Sequence, residues 1–162
     1  MVLDPKTLSD DGSRKFMAIA LSLASRAARE GETPVGALVV QEGKIIGRGY
    51  NRVETEKDPT AHAEIFALRQ AAQISDDWRL SRATVYVTLE PCIMCAAALL
   101  HARVKRLVYG ARDYRWGAVG SLFDLSHDPR INHNIEVVSG IMEAEASKLL
   151  EKFYRGLRDG RR

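Results

Sequence analysis

The sequence predicts an α/β fold, a single domain in which helices cover both faces of a sheet of about five strands. Three observations predict it. The chain has 162 residues, 46% of them hydrophobic, which is ample for one buried core of ordinary domain size. Segments with a helical period alternate with short β-branched runs from end to end. No repeat, low-complexity tract or Pro/Gly/Ser linker breaks that alternation.

Each element follows from its own pattern. Phe16, Ile19, Leu23 and Ala27 recur at steps of three and four after the polar Ser9, Asp10 and Asp11, and Gly31 stands as a stop, so residues about 12–30 read as an amphipathic helix with its stripe on the sheet. Residues 35–40 are an almost continuous apolar run, and 44–49 follow the turn-forming Glu42-Gly43, which predicts a hairpin with a buried first strand. Residues 52–59 are polar and read as a loop, 61–74 as a helix, and 83–89 as a buried strand. Pro91 suits a first helical turn, where its missing N–H would have no partner, so 92–101 are expected to form a helix directly after that strand. A strand over 104–109, a loop over 110–120, at most a short helix at 122–125 and a last strand over 135–138 follow. Met142, Ala146, Leu149, Phe153 and Leu157 then mark a long terminal helix, about 142–158, ending in a short basic tail.

Charge excludes little globally and more locally. Lys plus Arg is 24 and Asp plus Glu 21, a net +3 that does not announce a nucleic-acid partner. Residues 103–115, however, carry Arg103, Lys105, Arg106, Arg112 and Arg115 against Asp113, and 155–162 carry four arginines against Asp159. The longest uncharged stretch, 91–102, has 12 residues, short of the roughly 18–20 apolar residues that span a bilayer, so no membrane helix is expected. MVLDPKTLSDDG lacks the basic and apolar regions of a signal peptide, and a cytoplasmic location with reduced cysteines is the expectation.

The chain has two cysteines, Cys92 and Cys95, spaced to share one face of a helix start, where the positive end of the helix dipole favours thiolates. His62 would complete three ligands to a zinc ion and leave the fourth position to water. Glu64 lies two residues on, about 200° around a regular helix, so it suits a general acid/base beside the metal better than a ligand. A strand followed by Cys-x-x-Cys also fits a thioredoxin-like redox site. His62-Ala63-Glu64 with Pro91-Cys92-x-x-Cys95 about 30 residues later matches the pattern of zinc-dependent deaminases instead.

Pro34-Val35-Gly36-Ala37, Asp58-Pro59-Thr60-Ala61-His62-Ala63-Glu64, the run from Tyr86 through Glu90-Pro91-Cys92 to Cys95, Gly110-Ala111-Arg112-Asp113 and Gly120-Ser121-Leu122 together resemble the cytidine-deaminase-like superfamily. Within it they resemble the bacterial tRNA adenosine deaminases, which make inosine at the wobble position. The resemblance implies a three-layer α/β/α sandwich with a central mixed five-stranded sheet. It further implies zinc, one per subunit, on His62, Cys92 and Cys95, a zinc-bound hydroxide attacking C6 of adenine, and Glu64 as proton shuttle. By the same resemblance Asn51 hydrogen-bonds the flipped base, Val35 lines the pocket, and the backbone around Leu89, Glu90 and Pro91 holds the leaving amine. Asp113 would lie near the ribose, Tyr154 and Arg158 would meet the tRNA anticodon stem-loop, and the protein would be a homodimer. From periodicity alone Phe153 reads as core and the arginines as a solvated face.

Three positions depart from the family pattern. Tyr114-Arg115-Trp116 puts a bulky aromatic pair where small residues and a lysine are usual, Asn134 replaces a basic residue, and Val53 stands where proline is common. The second enzyme reading is a deaminase of free bases, nucleosides or nucleotides, of guanine or cytidine type, with the same metal site. A non-catalytic zinc or RNA-binding module would have no use for Glu64.

Overall fold

The computed structural model describes residues 2–3 and 10–160. Ser9, Arg161 and Arg162 lie outside the described residues. At one edge of the sheet, β2 (Gly36–Gln41) and β3 (Lys44–Tyr50) form an antiparallel hairpin whose turn residues Glu42 and Gly43 have φ of 52° and 72°, the double left-handed turn that matches strand twist. β4 (Thr84–Leu89) pairs antiparallel with β2 and parallel with β5 (Arg106–Ala111), and β5 pairs parallel with β6 (Glu136–Val138). These five strands are the expected mixed sheet. A two-residue strand, β1 (Val2–Leu3), adds a sixth at the edge beside β6, giving the order β1-β6-β5-β4-β2-β3.

Helix α1 (Asp10–Arg29) covers one face, packing on Leu38, Val40, Tyr86, Val108 and Val138. Its innermost line is Met17, Ala20, Ala24 and Ala27, one residue away from the expected stripe at all but Ala27. Gly36 explains the shift: a Cβ there would lie 2.0 Å from the carbonyl oxygen of Ala20, so the helix presses its alanines, rather than Phe16 and Leu23, onto β2. Gly31, at φ 80°, ends the helix, with Glu32 N–H donating to Ala27 O and Gly31 N–H to Ala28 O.

On the other face lie α3 (Ala63–Ser75) and α4 (Ile93–His101), over Ala37, Val39, Val85, Val87, Leu107 and Val137. Two helices on each face, with α5 (Glu143–Asp159) beside α1, complete the three layers. Two local expectations change. Within the polar 52–59 segment, Val53–Glu56 forms a one-turn helix, α2. Residues 122–125, expected to be at most a short helix, form none and lie beside a bridge between Val119 and Asp124. Pro91 precedes the helix instead of entering its first turn, because Cys92 stays extended as the N-cap and bridges to Gly117.

The terminal helix is less embedded than its pattern predicts. Ala146 is buried against Gly110, but Leu157 is 42% exposed, so the last two turns leave the core. The basic 103–115 segment also divides: Arg103 and Arg106 bind Asn132 and Glu136 at one end of β5, while exposed Arg112 and Arg115 follow its other end. No helix among the described residues is long and apolar enough to cross a membrane.

Candidate metal centre and active site

Two helix N-termini meet at the C-terminal end of β4. Gly47 and Gly49 let α3 lie directly on β3, since a Cβ at either would fall 2.1 Å from a helix carbonyl oxygen, of Ala67 and Ala63 respectively. That contact fixes where α3 begins, with His62 as its extended N-cap and Glu64 in its first turn. Because His62 is not itself helical, the 200° separation expected of a regular helix does not arise, and both side chains face one cavity.

Across the cavity, Cys92 caps α4 and Cys95 sits one turn in. Their Sγ atoms lie 3.6 and 3.5 Å from Nδ1 of His62, and all three donor atoms fall within 4.8 Å of one another. A tetrahedral zinc with bonds of about 2.0 Å to nitrogen and 2.3 Å to sulfur sets those atoms about 3.6 Å apart. The donor set therefore fits one zinc ion per chain. Among the described residues the cluster has three members, and Glu64 is not one of them.

Electrostatics agree with that arrangement. A hydrogen bond from Cys95 holds the Cys92 thiol down to about 4, while the same bond and burial push Cys95 up. The hydrogen bond to Cys92 raises His62. Burial pushes the Glu64 carboxyl up to about 7, as desolvation disfavours its charged form.

The cavity has a volume of about 620 Å³ and gathers Val35, Asn51, His62, Glu64, Leu89, Glu90, Cys92, Asp113 and Tyr154. Cys95 is buried behind it, Pro91 is buried with its carbonyl accepting Ala118 N–H at 2.9 Å, and Arg158 is exposed beyond it on α5. The Glu90 side chain turns away from the cavity into the loop after β5, and Asp113 Oδ1 accepts the N–H groups of Arg115 and Trp116, building a turn.

Two further residues line the cavity, Val53, noted in the sequence as a departure, and Glu32, which had no sequence signal. Val53 opens α2, the first-turn position that favours proline. Glu32 is fully buried and accepts from Asn51 Nδ2 at 3.4 Å and from the N–H groups of Glu54 and Thr55 at 3.2 and 2.7 Å. It thereby caps α2 from 22 residues away, where the N-cap Arg52 makes no side-chain cap. A carboxylate only accepts, so the Asn51 amide must present nitrogen to Glu32, which leaves Asn51 Oδ1 for the cavity.

The model for the cytidine and deoxycytidylate deaminase zinc-binding region matches residues 11–111. A protein from Haemophilus influenzae described as tRNA-specific adenosine deaminase is 47% identical over 158 residues, 97% of this chain and 91% of that one. A solved structure from a study of A-to-I editing by tRNA:A34 deaminases superposes with a TM-score of 0.81 at 44% identity, covering 84% of this chain and 99% of that one. A guanine deaminase from Bacillus subtilis is similar at 39% identity, with a TM-score of 0.59 over 60% of this chain and 63% of that one.

Proposed function

The chain belongs to the cytidine and deoxycytidylate deaminase zinc-binding family, among its tRNA-specific adenosine deaminases, and on that footing we propose that it converts adenosine to inosine at the wobble position of tRNA. One observation carries the chemistry: an imidazole and two thiols at zinc spacing meet at a cavity lined by a buried carboxylate that is not a ligand. His62, Cys92 and Cys95 hold the ion. A zinc ion with an open position supplies water made acidic enough to act as a nucleophile near neutral pH.

The chain's own groups do the rest. Water adds at C6 of adenine, the C6–N6 bond breaks, and ammonia leaves, so that one water is consumed per inosine formed. Glu64 takes one proton from the water and passes it to the ring nitrogen N1, then takes the second from the new C6 hydroxyl and delivers it to the departing amine, which leaves as ammonia while C6 becomes the carbonyl of inosine. Asn51, fixed by Glu32, offers Oδ1 to the base, Val35 forms the apolar wall, and the Leu89–Pro91 backbone borders the leaving amine. Asp113 faces the ribose.

We take residues 1–162 as one zinc-dependent deaminase domain whose terminal helix, about 142–158, faces the anticodon stem-loop and whose basic tail adds charge. It works in the cytoplasm, as a homodimer. Exposed Trp78, which lines an apolar groove between α3 and α4, supports self-association. The discriminating experiment compares ammonia release from whole tRNA and from free guanine, cytidine and adenosine. Release from the free compounds alone refutes the tRNA reading. In cells, loss of the protein should remove inosine from the wobble base of sequenced tRNA.

The terminal helix gives a separate expectation. Tyr154, 43% exposed at the cavity, should stack on a loop base, and Arg158, one turn on, should meet a phosphate. Tyr154→Ala is expected to weaken tRNA binding about tenfold, and Arg158→Ala to lower the salt dependence by about one counterion, with zinc content unchanged in both. Wild-type affinity in both variants, measured by filter binding, refutes this contact.

A further inference from the structure

The segment after β5 is fastened from beneath. The Glu90 carboxylate, 2% exposed, accepts the N–H groups of Asp113, Val119 and Ser121 at 3.0, 3.2 and 3.0 Å, and also the Ser121 hydroxyl. Gly117 N–H donates to Asp113 O at 2.9 Å, and a Cβ on Gly117 would meet Glu90 Cδ at 2.5 Å. Only Pro91 separates Glu90 from Cys92, and Pro91 O accepts Ala118 N–H while Cys92 bridges to Gly117, so loop and metal-bearing turn are one assembly.

On that assembly Trp116 lines the cavity with its side chain 63% exposed. A large apolar ring held at a cavity mouth by a loop with four anchors to one buried carboxylate is preorganised, and binding a flat partner costs it little ordering. The other tryptophan, Trp78, lies outside this cavity, with the Arg79 guanidinium 4.2 Å from its ring. Arg112 and Arg115, both exposed, precede Trp116 in this segment and add positive charge complementary to a phosphodiester backbone.

Resting on the tRNA reading above, we propose that Trp116 selects substrate by stacking on an unpaired base next to the target nucleotide, and that Glu90 is its positioning residue. With the target base turned into the cavity, the neighbouring base of a single-stranded loop is what reaches the mouth.

Trp116→Ala should raise KM for an anticodon stem-loop RNA about tenfold with kcat within about twofold, and Trp116→Phe should restore most of the loss. Glu90→Gln brings an amide N–H₂ against the same donors and should raise KM likewise while zinc stays bound. The double variant should be little worse than either single one. The chain has two tryptophans, so Trp78→Phe leaves Trp116 as the reporter, and its emission should fall on saturation with the RNA. An unchanged KM in Trp116→Ala or an unchanged emission overturns the stacking role. Should Trp116→Ala not fold, the emission alone decides. Multiplying effects of Glu90→Gln and Trp116→Ala overturn the role of Glu90. A wild-type protein that makes no inosine in RNA overturns the underlying tRNA reading instead, independently of any Trp116 variant.

Discussion

Glu64→Gln is expected to lower the rate of inosine formation by about 10²–10⁴-fold, roughly 3–5 kcal/mol of barrier, without loss of zinc. Glutamine keeps the volume of a side chain that is 4% exposed, so the cavity and the donor cluster should survive. What it removes is a group able to accept and return a proton. His62→Ala should differ in kind, losing metal and activity together, because it deletes one of three donors. Single-turnover assays with metal analysis separate the two, and a Glu64→Gln protein with wild-type turnover would end the assignment of Glu64. The variant has a second signature. Because burial raises the Glu64 pKa from 4.5 to about 7, the metal-free protein carries stability from this group below about pH 4.5 and loses it as pH rises through about 7. Glutamine has no charge to bury, so metal-free Glu64→Gln should lack that loss.

The metal site was legible because its chemistry dictates residue types at fixed spacing. A histidine and two cysteines can serve one ion wherever the chain brings them together, and the helix starts that carry them are visible as a motif after a polar loop and a proline after a strand. The buried strands β2 and β4 were legible from β-branched runs for the same local reason. What was not legible depends on distant partners. Glu32 gives no signal in Gly31-Glu32-Thr33, since its role comes from Asn51, Glu54 and Thr55 folding onto it. Glu90 sits inside a readable motif, yet its acceptors' work lies with backbone donors of a loop more than 20 residues away. The face of α1 was read one residue off because periodicity ranks large apolar side chains, whereas the fit to Gly36 selects small ones. The matched family region, 11–111, likewise stops before Trp116 and Tyr154, the parts of the cavity wall that face a larger substrate.

Gly49→Ala tests whether the fold itself sets the chemistry. Its Cβ would fall 2.1 Å from the carbonyl oxygen of Ala63, 2.8 Å from Phe66 Cβ and 2.9 Å from the amide nitrogen of Ala67. Two of those atoms belong to helix backbone, so no rotamer change relieves the clash and α3 must retreat by about an ångström. Ala63 lies between His62 and Glu64, so the retreat moves a zinc donor and the proton carrier together. Overpacking of this kind costs about 1–3 kcal/mol of stability, and a misplacement of about 1 Å costs about 100-fold in rate. Zinc affinity, kcat and denaturant midpoint are all expected to fall. Gly12→Ala is the control, since its Cβ meets nothing within 4 Å and the helical site should gain up to about 1 kcal/mol. If Gly49→Ala retained wild-type zinc affinity and turnover, the close seating of α3 on β3 would be a matter of stability alone, and the placement of His62 and Glu64 would have to come from the loop that precedes them.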